Sequence, residues 1–330
     1  MKKMLFFIAP ILIFTIFIIS NSSLAADESK KVRIIIGGSL AGGGSHLRCE
    51  GIAEAIRRTF PNYDVNVITG SHAGQVVQMI EGKVDILGEG SLSHMQDAAN
   101  AVPPFNRPFK IDKVRSIMAT GTLPMHIILL KKTGVNSLRE IKSKKLGIRI
   151  TAGQVGSAPY SFGKIVLDAY GIDFKDIESW GGKVHFVGSG EGSGLIRDGL
   201  ADGFIRGTVV PNPNLVDLGK SRELALLPVD EDVIKALEKS GFRRTVIPAG
   251  SYPFAEKAVP SVTDPVMILC RADLPDETVY NVTKAIVEQG EYLGTVHKMF
   301  KMITPKLRVD VGIPLHPGAE RYYREKGFLK

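Results

Sequence analysis

What this 330-residue chain has little of narrows its chemistry first. It holds two cysteines, Cys49 and Cys270, too few for a disulfide framework. Cys49 falls on the apolar face of a helix pattern and Cys270 in the apolar run Val266 to Cys270. Both read as small buried hydrophobes, and a bridge is possible only if their elements meet. His94, His126, His185, His297 and His316 do not cluster with carboxylates at metal-ligand spacings, so neither a metal site nor a cofactor is expected. No Gly-Lys-Ser/Thr closes a phosphate loop, and no basic cluster is interleaved with aromatics as a nucleic-acid surface would be. Past the first residues no run is long and apolar enough to span a bilayer. An enzyme would need a nucleophile oriented by a base, or paired carboxylates, in one pocket. The best nucleophile is Ser39 in Gly37-Gly38-Ser39-Leu40-Ala41, near the pattern of a nucleophile elbow. No motif supplies its partners, so catalysis is not expected.

What is present begins with an address. Lys2 and Lys3 precede an apolar run from Met4 to Ile19, and Ser23-Leu24-Ala25-Ala26 offers small residues for cleavage. This is the pattern of a secretory signal peptide, over residues 1–25, and it predicts a periplasmic mature protein. The formal charge of +8 includes those two lysines, so loss of the leader leaves +6. With 44% hydrophobic and 23% charged residues, the remainder has the composition of an ordinary globular protein large enough for two cores.

The chain is organised around Val32 to Phe60. A β-branched run ends in a loop holding Gly37, Gly38, Gly42, Gly43 and Gly44, and a helix pattern follows through Cys49, Ile52, Ala53, Ile56 and Phe60. Glycines let backbone approach a ligand, and a helix start presents free N–H groups with the positive end of its dipole. A strand at Val65 to Ile68, a helix after Ser71 and a strand at Val84 to Leu87 ending in the loop Gly88 to Ser91 continue the alternation, which predicts a parallel sheet with ligands beyond its carboxyl ends. Strands at Val114 to Thr120 and Met125 to Leu130 break the rhythm. It restarts at Leu146 to Ile150, with a helix at Ala158 to Tyr170, a loop from Gly188 to Ser193, a helix at Gly194 to Leu200 and a strand at Gly203 to Arg206. Val266 to Cys270 reads as a return crossing antiparallel to Met125 to Leu130, and C-terminal helices pack back on the first half. Two α/β lobes joined by two crossings follow, residues 26–125 plus 265–330 and residues 126–264, closing a cleft on a ligand.

The chain resembles the TAXI group of TRAP-transporter solute-binding proteins. The resemblance rests on IIIGG…GGGSH, VITGSHAGQVVQMIEGKVDI, Gly153 to Ser157, IPAGSYP, CRADLPDETVY and PLHPGAERYYREKG. It implies a two-lobed type II periplasmic-binding-protein fold with a hinge. It further implies capture of a small organic acid or amino acid and its delivery to the membrane subunits of an ion-gradient-driven TRAP transporter. Departures lie in the ligand loops: His46, Leu47 and Arg48 where aromatics are usual, Gly156-Ser157-Ala158-Pro159 for Gly-Ser-Gly-Thr, and Gly90-Ser91-Leu92 for a Gln and an Asp.

Candidate ligand contacts are therefore Ser39, Gly43, Gly44 and Ser45 in the first loop, with His46 and Arg48 in the first helical turn. Arg48 either pairs bidentately with an acidic group or is a solvated cation set against the dipole. Ser71 and Gln75 follow the second strand, and Ser91 the third. Ser157 and Tyr160 stand at the equivalent helix start of the second half, Thr208 ends a strand, and Tyr252 lines the hinge. An exported sensor domain that signals to a membrane receptor would carry the same residues.

Overall fold

The computed structural model describes residues 31–38, 44–309 and 311–329. The leader of residues 1–25, Ser39 and Gly43 lie outside the described residues. The chain opens in the predicted order, with β1 (Val32–Gly38), α1 (Gly44–Thr59), β2 (Tyr63–Thr69), α2 (His72–Ile80) and β3 (Ile86–Ser91), and then adds a helix that was not expected, α3 (Leu92–Ala99). A long strand β4 (Val114–Leu130) carries it onward to α4 (Leu138–Ser143), β5 (Arg149–Ala152), α5 (Ala158–Ala169), α6 (Phe174–Ser179) and β6 (Lys183–Phe186). Then come α7 (Ser189–Arg197), β7 (Gly203–Gly207), α8 (Pro213–Ser221), β8 (Leu224–Leu227), α9 (Glu231–Lys239) and β9 (Arg243–Ile247). A second long strand, β10 (Val259–Arg271), returns the chain to α10 (Asp276–Glu288), α11 (Gly290–Val296), α12 (Pro305–Val309) and α13 (Pro317–Glu325).

The strands form one mixed α/β sheet in the order β2-β1-β3-β10-β4-β7-β5-β6, with β8 also on β4 and β9 on β10. Both outer thirds are parallel, β1 with β2 and β3, and β5 with β6 and β7. Helices cover both faces. Alternation along β1 shows why: Ile34 and Ile36 are buried in one apolar cluster, and Ile35 packs against the other. The predicted stripe of α1 (Cys49, Ile52, Ala53, Ile56) is buried on the Ile34/Ile36 side, joined by Val279, Val282 and Ile286 of α10. Tyr322 and Tyr323 of α13 complete that layer, and the Tyr323 hydroxyl donates to Ile117 O at 3.0 Å. Both cysteines are buried and free. Burial pushes the Cys49 thiol up to about 12 and raises Cys270 further, which suits packing residues and not nucleophiles.

Several expected boundaries move, each for a packing reason. Val114 to Thr120 and Met125 to Leu130 are one continuous strand, not two. The return crossing pairs with its first part: Arg271 lies opposite Val114 and Thr263 opposite Pro124, so the expected pairing with Met125 to Leu130 is replaced by β7 and β8. Residues 88–91, expected as a loop, extend β3. Their glycines serve close approach: a Cβ on Gly88 would overlap Cys49 Sγ of α1, and one on Gly90 would come 2.5 Å from Leu269 of β10. The expected loop at Gly188 to Ser193 is the start of α7, which begins at Ser189 and not Gly194. Gly192 allows that turn to seat on β5, because a Cβ there would stand 3.0 Å from Thr151 Oγ1.

The first turn of α13 is equally tight. A methyl group on Gly318 would collide with the Asp276 carbonyl oxygen and lie 2.9 Å from Tyr280 N. Those neighbours are backbone and cannot rotate away. Gly318→Ala should therefore cost about 1–3 kcal/mol of unfolding free energy, despite alanine's better helix propensity, read as a lower urea midpoint at unchanged slope.

Candidate functional site

Register places the carboxyl ends of both parallel sets at one crossing. Ser91, the last residue of β3, lies opposite Val266, which lies opposite Gly121 of β4. Gly207, the last residue of β7, lies opposite Met125 of β4. The two ends thus approach each other from opposite directions across four residues of β4, about 13 Å at ~3.3 Å per residue. That gap suits a small solute. Pro124 and Pro265 sit in it on the two through-running strands, each lacking an N–H, and the β10 register shifts beside them between Val266 and Met267.

On the first-half side, the predicted residues are mostly engaged by the protein itself. Gly44 and Ser45 open α1. His46 lies 3.9 Å from Glu50. Arg48 is nine-tenths buried, ion-paired with Glu89 of β3 and within 3.4 Å of His297 Nε2. Its unfavourable place at a helix start is thus compensated internally. Ser71 caps α2 by accepting from Gly74 N at 3.2 Å. It also borders a groove of about 730 Å³ whose far wall includes Val155 and Gly156. Gln75 is buried against glycines: a Cβ on Gly37 or Gly70 would come within 2.6 Å of its amide. Ser91 caps α3, accepting from His94 N at 3.3 Å, and its hydroxyl is 3.0 Å from that of Ser93.

Three residues there carry more weight than the sequence suggested. Asp264, in the gap on β10, is fully buried and accepts from Ser93 N at 3.3 Å and from the Ser93 hydroxyl. Burial pushes its carboxyl up to about 7, with these donors pulling the other way. His94 Nε2 donates to Gly156 O at 2.9 Å, tying α3 to the loop after β5, and the His72 ring stacks on it at 4.7 Å. Burial drives the His94 ring down to about 3, so it is neutral at working pH.

On the second-half side, Ser157 caps α5 by accepting from Tyr160 N at 3.4 Å, and the Tyr160 ring packs against Phe174 and Phe186. Thr208 and Tyr252 belong to one buried chain. His126 Nδ1 donates to Pro124 O at 2.9 Å, which leaves Nε2 to accept from the Tyr252 hydroxyl at 2.8 Å. That hydroxyl accepts from Asn212 N at 3.0 Å, and Asn212 Nδ2 donates to Thr208 Oγ1 at 2.7 Å and Ser189 Oγ at 3.1 Å. Burial lowers the His126 ring to about 4.

Sequence reasoning missed Arg206. It faces His126 across the β4–β7 ladder, is 8% exposed, and donates from Nη1 to Val187 O at 2.9 Å. Its Nε is buried without a partner, and among the described residues no carboxylate pairs with it. Desolvation alone pulls the guanidinium down to about 10. The available signal was a charge inside Gly203-Phe204-Ile205-Arg206-Gly207, a strand otherwise apolar and glycine-flanked. Around the same strand ends, Val155, Phe186 and Val209 are large apolar side chains left exposed.

The NMT1-like family matches residues 36–327. The chain belongs to that family. The fold of this NMT1-like protein is also that of solved binding proteins. PhnD1 from Prochlorococcus marinus, in complex with methylphosphonate, is 13% identical with a TM-score of 0.54, covering 90% of this chain and 99% of its own. A TctC solute binding protein from Polaromonas is 14% identical with a TM-score of 0.52, covering 91% and 100%. These likenesses establish a periplasmic-binding-protein fold. No helix among the described residues is long and apolar enough to cross a membrane.

The His94 contact predicts a pH signature. Its ring stays neutral in the folded protein to about pH 3, whereas the unfolded chain takes up the proton near pH ~6.5. Its contribution to stability is therefore constant above pH ~6.5 and falls by about 1.4 kcal/mol per unit on acidification below it. Denaturant titrations of wild type and His94→Gln should show the stability gap narrowing at about that rate from pH 6.5 towards pH 4. A gap independent of pH would contradict the buried neutral ring.

Proposed function

We propose that this NMT1-like protein is an extracytoplasmic solute-binding receptor, exported to the periplasm by its leader, that captures a small carboxylate between two lobes. The convergence of the β3 and β7 carboxyl ends across four residues of β4 carries this reading. Lobes of residues 26–125 plus 265–330 and of residues 126–264 would hinge where β4 and β10 pass Pro124 and Pro265. A ligand touching Ser45 or Ser91 on one side and Thr208 on the other would hold them closed. The resemblance to TAXI proteins supports delivery to the membrane subunits of a TRAP transporter. The solute bound by the PhnD1 neighbour, methylphosphonate, is also a small anion. Binding is the role this reading assigns: among the described residues the hydroxyls of Ser71, Ser91 and Ser157 cap helix starts, and that of Ser93 is tied to Asp264.

A thermal-shift screen of the mature protein against carboxylates, amino acids and neutral sugars tests the reading. A carboxylate at 100 times its dissociation constant adds about 2.7 kcal/mol and raises the melting temperature. Ser45→Ala should weaken that ligand while Lys144→Ala, exposed on the Leu138–Ser143 helix cap and paired only with Glu140, should not. Stabilisation by neutral sugars alone would overturn the carboxylate assignment.

A further inference from the structure

The second half contains a place for an anion to which, of the predicted residues, Thr208 alone is brought. α7 starts at Ser189 with Gly188 as its N-cap, which has no side chain to satisfy the helix start. Gly192 N is the first amide to reach back, to Gly188 O at 2.9 Å, so the Ser189, Gly190 and Glu191 amides precede the intrahelical ladder. The dipole of this nine-residue helix adds to their field. Arg206 stands against the same spot. It donates to Val187 O, the carbonyl just before the cap, while its Nε has no partner and no carboxylate among the described residues balances its charge. Asn212 Nδ2 donates to both Ser189 Oγ and Thr208 Oγ1, leaving each hydroxyl its own hydrogen to give.

A buried guanidinium without a counter-ion is costly, and one carbonyl acceptor with the Phe204 ring 5.5 Å away offsets that cost only in part. A ligand carboxylate bridging the Arg206 Nε edge and the α7 amides would supply the missing charge and accept the free donors. We infer that Arg206 and the N-terminus of α7 form the subsite for the single anionic group of the solute, whose apolar remainder rests on the exposed Val155, Phe186 and Val209. The inference rests on the receptor reading and deepens it: the solute class is a small monocarboxylate with an apolar body. One buried positive charge matches one carboxylate. Arg48, the cation predicted for this task, already has Glu89.

Arg206→Met tests this in two ways on dialysed mature protein. Methionine keeps an apolar stem and removes the charge, so without any added solute the variant should melt about 2–4 °C higher than wild type. A lower melting temperature would make Arg206 a structural residue and overturn the inference. The second measurement uses 4-methyl-2-oxopentanoate, phenylpyruvate and benzoate, with malate and glucose for comparison. The apolar monocarboxylates should shift wild type most, and calorimetry of the best of them should show at least 30-fold weaker binding to Arg206→Met, with Arg206→Lys between. Equal affinity within threefold for wild type and Arg206→Met would remove this subsite while leaving a carboxylate receptor. A larger shift with malate would remove the monocarboxylate assignment. Stabilisation by glucose alone would sink the receptor reading itself.

Discussion

The pairing of β4 with β10 is the constraint on which the rest depends. These two strands run antiparallel through the middle of the sheet, from Val114 opposite Arg271 to Pro124 opposite Thr263. Each then leaves the other for a different neighbour: β4 takes β7 and β8, and β10 takes β9. Because a β ladder ties direction as well as position, this one pairing decides that β3 and β7 point their carboxyl ends at each other. A shift of a single residue would turn Asp264 and His126 to the opposite face of the sheet. The prolines fall at the place where the ladder is thinnest, where a missing N–H does least harm.

Polar groups buried near this crossing divide into two kinds. Asp264, His126, Asn212 and Tyr252 have partners for most of what they offer, and their bonds link the through-running strands to the helices that begin beside them. Such satisfied networks specify one arrangement of a core. Arg206 is of the other kind, a full charge with one carbonyl acceptor and the Phe204 ring 5.5 Å away, and among the described residues no carboxylate pairs with it. Natural proteins tolerate local instability mostly where function draws on it, and this difference in satisfaction separates a positioning network from a binding group.

Much of the fold was legible in the chain itself. Apolar alternation in β1, the helical spacing of α1 and the small residues closing each strand required only local rules, and they held. What failed were the glycine runs. Gly88 to Ser91 and Gly188 to Ser193 read as loops because glycine lowers both strand and helix propensity, yet the first extends β3 and the second begins α7. Their glycines are there for contacts with Cys49, Leu269 and Thr151, partners that no local pattern could reveal. The pairing partner of β10 was likewise a matter of register between strands far apart in sequence.

The candidate site divides in the same way. The sequence by itself determined which strand ends carry small and hydroxyl residues, because such ends announce themselves within a few positions. It also determined the alternating αβ order and hence the two parallel sets at the outer parts of a mixed sheet. Only the tertiary structure decided which cation was free. Arg48 and Arg206 are equally charged on paper, but Glu89 lies 41 residues from Arg48 and folds onto it, while among the described residues no acid reaches Arg206. Charge is a property of a residue, whereas compensation is a property of the space around it, and that space exists only once β4 and β10 have paired.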